Sequence, residues 1–138
     1  MKRWGVSVLA FLVVALLIFG VYHTLEKRAQ QGRESGYKAA LRSYSSVLKS
    51  GMKRKEVEDY LHAKNIPFRQ MCCVDGKKLS KGVYDDLTKI GAENAPWYCS
   101  EKIVYIAFQF SGPARKWTAE PADVLESISV YRSLEGCL

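Results

Sequence analysis

The stretch Lys102-Ile-Val-Tyr-Ile-Ala-Phe-Gln-Phe110 is the clearest strand in the sequence, and it sets the fold class. Side chains alternate across a β-strand, so its residues divide into two sets on opposite faces. These sets are Val104, Ile106, Phe108 and Phe110 on one face and Ile103, Tyr105, Ala107 and Gln109 on the other. The alternation predicts a β-strand that ends at Ser111-Gly112-Pro113.

Two further strands are predicted on either side of this one. Phe68 to Val74 is a short apolar run that follows Pro67, and Val124 to Leu134 alternates apolar residues with serines. Three such segments suit an antiparallel meander with one apolar face covered by helices. Between the first and second strands, Ser80 to Ile90 is a possible short helix that Gly91 would close.

Two helices are predicted before the sheet. Spacings of four, three and four place Tyr37, Leu41, Tyr44 and Leu48 on one helical face. Gly51 would end this helix in the left-handed conformation, and a second helix runs from about Lys53 to Lys64. Asn65 can end the second helix in the same way.

A long apolar run, Gly5 to Val21, stands behind Met1-Lys2-Arg3. Its length predicts a membrane-spanning helix rather than a cleaved signal peptide, because no good pair of small residues follows it. The expected organisation is therefore a signal-anchor transmembrane helix at residues 1–25, a polar linker at 26–35 and an α+β domain at 36–138. The linker could also be a helical extension of the anchor.

The charged residues at the N-terminus and the cysteines predict the orientation of this anchor in the membrane. Lys2 and Arg3 favour a cytoplasmic N-terminus. An even number of cysteines, all in the C-terminal part, suits an oxidising compartment. The expected location is a single-pass membrane protein with its C-terminal domain outside the cytoplasm, in a bacterial inner membrane and periplasm. Membrane lipid would then be a partner of the N-terminal helix.

The helix-to-helix turn resembles a known family. The residues Val47-Leu-Lys-Ser-Gly-Met-Lys-Arg-Lys-Glu-Val57 are similar to the turn of the SmpA/OmlA (BamE-like) domain, in which Gly-Met-Thr opens the second helix and a Glu and a Val follow. The chain departs from that pattern at Lys53, and it lacks the lipidated cysteine of the outer-membrane members. The resemblance implies a helical hairpin followed by three strands, the ααβββ order, and non-catalytic protein binding.

The four cysteines are candidates for disulfide bonds: Cys72, Cys73, Cys99 and Cys137. In a three-stranded meander they meet at one end of the sheet. A bond between two adjacent residues closes a strained ring, so we expect Cys72 and Cys73 to bond separately to Cys99 and Cys137. The alternatives are a zinc site, for which adjacent thiolates are poorly placed, and a thiol-redox site at the vicinal pair.

The remaining residues point to binding rather than catalysis. His62 is a lone helix-face histidine, and the sequence contains no phosphate loop or nucleophile elbow. We therefore predict no catalytic residue, metal site or cofactor. The formal charge is +7, but the basic residues are scattered and do not form a nucleic-acid-binding strip. Three aromatic residues are the candidate partner-binding residues: Trp97, Tyr98 and Trp117.

These observations predict a membrane-anchored, extracytoplasmic protein-interaction domain of class α+β. Its N-terminal transmembrane helix would precede a helical hairpin packed on a three-stranded antiparallel sheet. It would be non-enzymatic and would help to assemble or tether an envelope complex through an envelope protein partner. The alternative is an envelope thiol-redox or other cysteine-dependent enzyme that uses Cys72 and Cys73.

Overall fold

Two helices and four β-strands form the described part of the chain. A computed structural model describes residues 2–74, 82–113 and 117–138, with side chains described from Leu12 onward. The elements are α1 (Lys2–Val47), α2 (Arg54–Ala63), β1 (Arg69–Met71), β2 (Asp85–Glu93), β3 (Cys99–Ser111) and β4 (Val124–Cys137). The strands form one antiparallel sheet in the order β1-β2-β3-β4. The chain divides into two compact units, Met1–Gly36 and Tyr37–Leu138.

The predicted membrane anchor is not supported. Among the residues whose side chains are described, no helix offers an apolar segment long enough to cross a membrane. Described apolar residues of α1 extend from Leu12 to Leu25 and are followed at once by the charged Glu26-Lys27-Arg28, whereas a span needs about 20. This finding overturns the transmembrane helix and the single-pass membrane location predicted with it. The side chains of Gly5 to Phe11, the first part of the predicted anchor, lie outside the described residues.

The prediction of a three-stranded sheet with a short helix at Ser80 to Ile90 is also wrong. Asp85–Glu93 is strand β2, which pairs with β1 on one side and with β3 on the other. Leu87 and Ile90, three residues apart, lie on opposite faces of the strand and pack into different core clusters. The prediction was wrong because apolar residues spaced three positions apart are typical of a helix. The same spacing also occurs in a strand whose two faces are both buried, since residues three positions apart then lie on opposite faces. Ser80 and Lys81 lie outside the described residues.

The predicted division of β3 into two faces is confirmed. Ile106, Phe108 and Phe110 pack with the helices, in a cluster that includes Leu48, Val57 and Leu61. Ile103, Tyr105 and Ala107 form a second buried cluster with Leu87 on the opposite face. The first cluster lies between the helices and the sheet, while Met71, Val74 and Tyr131 pack around the second.

The turn between the helices follows the sequence closely. Gly51 has φ +94° and Asn65 has φ +53°, so both adopt the predicted left-handed conformation. Glu56 accepts a hydrogen bond of 2.7 Å from the backbone N–H of Lys53 and so caps α2. The turn is also joined to the sheet, because Leu125 donates to the Met52 carbonyl and accepts from Gly51, each at 2.8 Å.

Tyr37 packs against a glycine on β2. Its side chain is buried, and an added Cβ at Gly91 would lie 2.9 Å from Tyr37 Cε1 and 3.0 Å from the hydroxyl oxygen. The ring cannot withdraw easily, because the Arg132 guanidinium lies 5.7 Å from its centroid and is itself held by Glu93 at 3.1 Å. Gly91 is therefore required by close packing.

We expect Gly91→Ala to destabilise the fold by about 1–3 kcal/mol, the usual cost of overpacking a core. The matched control is Gly36→Ala on α1, where nothing lies within 4 Å of the added Cβ. That change should stabilise the protein by about 0.5–1 kcal/mol, because alanine is the better helix former. Urea unfolding measures both, and equal effects of the two substitutions would contradict the packing argument.

Candidate functional site

An exposed aromatic pair forms the turn between β2 and β3. Trp97 is 90% exposed and Tyr98 is 44% exposed. Their rings meet edge to face, with centroids 5.8 Å apart and planes at 89°. The turn is closed by the backbone, since Cys99 donates a 2.9 Å hydrogen bond to the Pro96 carbonyl. Large aromatic side chains are seldom left in water, so this pair is a candidate binding surface.

Two residues at the end of β4, Cys137 and Leu138, fasten this turn. Cys99 and Cys137 face each other in the β3–β4 ladder and form a disulfide bond. Leu138 donates a 2.9 Å backbone hydrogen bond to the Tyr98 carbonyl. Trp97 and Tyr98 form the exposed surface that we call the aromatic tip.

The predicted disulfide pairing is wrong, although all four cysteines are bonded. Cys72 is bonded to Cys73, the adjacent pairing that the sequence argument had disfavoured, and Cys99 to Cys137. The cause is the unpredicted strand β2, which reverses the chain once more between β1 and β3. The end of β1, at Met71, therefore pairs with Asp85, and this end of β2 lies beside the far end of β3.

The three predicted aromatic residues do not share one surface. β3 contains 13 residues, which at about 3.3 Å each separates its two ends by roughly 40 Å. Trp97 and Tyr98 lie before its first residue, whereas Trp117 follows its last. Trp117 is 47% exposed, and its neighbour Thr118 is hydrogen-bonded to Gly82 and Tyr84 near the start of β2.

A groove lies on the sheet face opposite the first core cluster. It has a volume of about 360 Å³, and its floor contains the buried side chains of Leu87, Ile103 and Tyr105. Four segments of the chain contribute to it: the residues around the start of β1, and parts of β2, β3 and β4. Its lining residues are Pro67, Phe68, Arg69, Leu87, Lys89, Ile103, Tyr105 and Glu135. We call this surface the sheet groove.

An ion pair and a hydrogen bond hold the side chains on one side of the sheet groove in place. The Arg69 guanidinium lies 4.7 Å from the centroid of the Tyr105 ring and forms an ion pair with Glu135. Tyr105 donates its hydroxyl to the same carboxylate at 2.8 Å. The hydrogen bonds from Tyr105 and Arg69 lower the pKa of Glu135. Burial, helped by the Glu135 contact, raises the pKa of Tyr105 to about 12. Glu135 is therefore a charged carboxylate at neutral pH.

A buried ion cluster lies under the helices, and sequence reasoning missed it. Arg54 is 1% exposed and forms ion pairs with Asp86 and, at 3.3 Å, with Asp123. Its guanidinium carbon lies 3.9 Å from the centroid of the Phe110 ring. The Asp85-Asp86 doublet was the available signal, since neighbouring residues of a strand face opposite ways and one of them must face the core.

One carboxylate oxygen of this cluster accepts no hydrogen bond from the described residues. Asp86 Oδ2 is buried and has no hydrogen-bond partner among the described residues. Burial raises the pKa of Asp86 to about 7, and the nearby Glu58 and Asp85 act in the same direction against the Arg54 charge. Asp85 itself is tied elsewhere, accepting hydrogen bonds from the backbone of Phe110 at 3.1 Å and Val74 at 3.0 Å.

The groups considered for catalysis are held apart or already bonded. His62 stacks edge to face on Phe68, with centroids 5.3 Å apart. The four cysteine sulfurs are all in disulfides. In the ranges that the structure describes, no group of three or more His, Cys, Asp or Glu residues is placed to hold a metal ion.

Comparison with known proteins adds no relative: no family model, curated protein or solved structure matches the chain. The resemblance to the SmpA/OmlA domain therefore stays a prediction. The fourth strand of the sheet departs from the three-strand order that the resemblance implied.

The Cys99–Cys137 bond should contribute strongly to stability. It joins residues 38 positions apart, so replacing both cysteines by alanine should lower the free energy of unfolding by about 4 kcal/mol through the entropy of the unfolded chain. The double variant Cys72→Ala/Cys73→Ala is the control, because that bond joins neighbours and closes no chain loop. Urea unfolding without reductant compares them, and similar losses would contradict the assignment.

The raised pKa of Asp86 predicts a pH dependence of stability. Between the unfolded value of 3.8 and about 7, the folded chain holds a proton that the unfolded chain releases. Stability therefore falls as pH rises through this window. Relative to Asp86→Asn, the wild-type free energy of unfolding should fall by roughly 2 kcal/mol between pH 5 and pH 7. A difference that stays constant, or that grows with pH, would show that the Asp86 pKa is not raised.

Proposed function

We propose that the Tyr37–Leu138 unit is a non-enzymatic protein-interaction domain that binds a protein partner through the aromatic tip. The observation that carries this proposal is the 90% exposure of Trp97 on a turn fastened by a disulfide bond and by a backbone hydrogen bond from Leu138. Tryptophan and tyrosine dominate the binding energy of many protein interfaces.

The fixed conformation of the turn is a second argument for the proposed binding function, beside the exposure of Trp97. A loop that is already held in one conformation loses little conformational entropy when a partner binds, so more of the contact energy appears as affinity. Cys99, Cys137 and the Leu138 backbone hold the turn from two strands. The backbone at Trp97 therefore needs no further ordering, and only the side-chain rotamer has to be fixed when Trp97 enters a partner's apolar pocket.

A second candidate function is thiol-disulfide exchange at the Cys72–Cys73 pair. The observation that favours it is the bond between the two adjacent cysteines. In this reaction a dithiol donor would supply two electrons and two protons, opening the bond to two thiols while the donor becomes a disulfide. The pair does not lie at a helix N-terminus, the setting that lowers the pKa of redox-active thiols. We therefore favour the binding function.

Photo-crosslinking in the cells that express the protein tests the binding function. With p-benzoylphenylalanine in place of Asn94, beside the tip, we expect one partner to be crosslinked. Trp97→Ala should abolish this product, and Trp117→Ala should leave it unchanged. With the purified partner, Trp97→Ala should weaken binding by about 30-fold or more, equivalent to about 2 kcal/mol.

Two controls make this test decisive. Trp97→Ala should change the free energy of unfolding by less than about 0.5 kcal/mol, because the side chain makes few contacts with the rest of the chain. A crosslinked partner that is insensitive to Trp97→Ala would overturn the assignment of the tip. Catalysed reduction of a disulfide substrate by the wild-type chain, lost in Cys72→Ala/Cys73→Ala, would favour the redox function instead.

A further inference from the structure

The aromatic tip is held at a place that the hydrophobic core does not reach. Ile103 is the first buried residue of β3, and residues 99–102 before it are exposed or half-buried. On β4, Gly136 and Cys137 are exposed as well. Apolar burial therefore contributes little to holding these two strand ends together, and the Cys99–Cys137 bond is the main connection between them.

The side-chain and backbone hydrogen bonds beside this disulfide involve exposed residues. Ser100 donates its hydroxyl to the Gly136 carbonyl at 3.3 Å, and the Leu138 N–H donates to the Tyr98 carbonyl at 2.9 Å. Gly136 has φ +62°, a conformation that only the flexibility of glycine makes easy. Exposed hydrogen bonds exchange readily with water, so they do not by themselves keep this end of the ladder closed.

The neighbouring parts of the sheet are held independently of the disulfide. Glu93, before the turn, forms an ion pair with Lys102 at 2.8 Å. Glu135, on β4, pairs with Arg69 of β1, although Glu101 places a like charge directly across the ladder. Loss of the disulfide should therefore loosen only the turn between Glu93 and Lys102 and the residues that follow Glu135.

The disulfide is also open to attack from solution. Cys137 is an exposed residue, and exposed disulfides are the ones that thiols reduce most readily. A thiolate of a dithiol reductant attacks the Cys137 sulfur, the S–S bond breaks, and Cys99 leaves as a thiolate that takes up a proton. The second thiol of the reductant then releases Cys137 as a thiol and closes the reductant's own disulfide. Two electrons and two protons thus pass from the dithiol to the bond.

From these observations we infer that the Cys99–Cys137 disulfide is a redox-sensitive device that controls the aromatic tip. A dithiol reductant opens the bond in the folded protein, the tip loses its fixed conformation, and its affinity for the partner falls. Only the last of these steps rests on the proposed function, because it requires that the tip binds a partner. The first two concern this chain alone and are tested without a partner.

Two variants of the full chain isolate this bond. Cys72→Ala/Cys73→Ala keeps Cys99 and Cys137 as its only cysteines and is called here the single-bond variant. The control variant carries Cys99→Ser and Cys137→Ser in addition, so dithiothreitol finds no disulfide to reduce in it.

Backbone order parameters measure the conformational freedom of the tip. In the ¹⁵N-labelled single-bond variant, we expect the order parameters of Trp97 and Gly136 to fall from about 0.85 to below about 0.6 when dithiothreitol is added. Ile106, in the centre of β3, should stay near 0.85. The control variant should give the low values at Trp97 and Gly136 with and without dithiothreitol. Order parameters report motion within the folded state, so lower overall stability does not produce this pattern.

The rate of reduction shows whether the bond opens in the folded protein. Free thiols of the single-bond variant are counted over time in dithiothreitol, with and without urea below the unfolding transition. We expect the rates to agree within about twofold, because Cys137 is exposed before any unfolding occurs. A rate that rises steeply with urea would mean that the reductant reaches the sulfur only through unfolding, and would contradict the inference.

Binding of the purified partner tests the last step. Reduction of the single-bond variant should weaken binding about tenfold, because the partner must then order the tip, and it should leave binding by the control variant unchanged. Equal affinity of the oxidised and reduced forms would overturn the control of binding while leaving the proposed function intact. Failure of the proposed function is seen separately, as binding that is insensitive to Trp97→Ala.

Two further results would overturn the inference. Order parameters at Trp97 and Gly136 that do not change on reduction would show that the disulfide does not hold the tip. Loss of the dispersed signals of the whole Tyr37–Leu138 unit on reduction would show that the bond supports the entire fold and is not a local device.

Discussion

The buried Arg54 guanidinium joins α2 to β2, to β3 and to the residues before β4. It extends from the first turn of α2 to Asp86 on β2, to the Tyr84 carbonyl and to Asp123 before β4, and it stacks on the Phe110 ring of β3. A buried cation is tolerated only where charges and hydrogen bonds replace water. The helix, the start of β2 and the connection to β4 must therefore come together for any of them to be stable. This requirement sets where the helical hairpin lies on the sheet.

The same constraint helps to explain why aromatic residues are exposed at one end of the sheet. The Arg54 cluster, the turn at Gly51 and the start of β4 lie together at the end of β3 that is remote from the tip. At the opposite end, the Cys99–Cys137 bond, the strand ladder and the backbone hydrogen bond from Leu138 to Tyr98 hold the chain. The aromatic residues there are not required by the core. Their exposed side chains are therefore free to contact another protein.

Local features of the fold could be predicted because they depend on neighbouring residues alone. Gly51 and Asn65 take the left-handed conformation, Glu56 caps α2, and β3 divides into the two predicted faces. Of the candidate residues named from the sequence, Trp97 and Tyr98 are exposed and all four cysteines are bonded, while the role of the aromatic residues in partner binding stays a prediction. The sheet groove could not be predicted, because its members come from distant segments and look like ordinary surface residues in the sequence. The Asp85-Asp86 doublet was a signal that one carboxylate is buried, but its partner Arg54 comes from α2 and only the tertiary structure shows the pair.

The sequence by itself determined the α+β class, the helical hairpin and its turn, and the strand from Lys102 to Phe110, since periodicity and turn residues act over a few positions. Only the tertiary structure decided the nature of Asp85–Glu93. Its apolar spacing suits a helix, but pairing with β1 and β3 makes it a strand, which reverses the chain direction once more. That single reversal places Cys72 and Cys73 at the opposite end of the sheet from Cys99. The disulfide pairing therefore followed from the number of strands, which no local pattern of residues expresses.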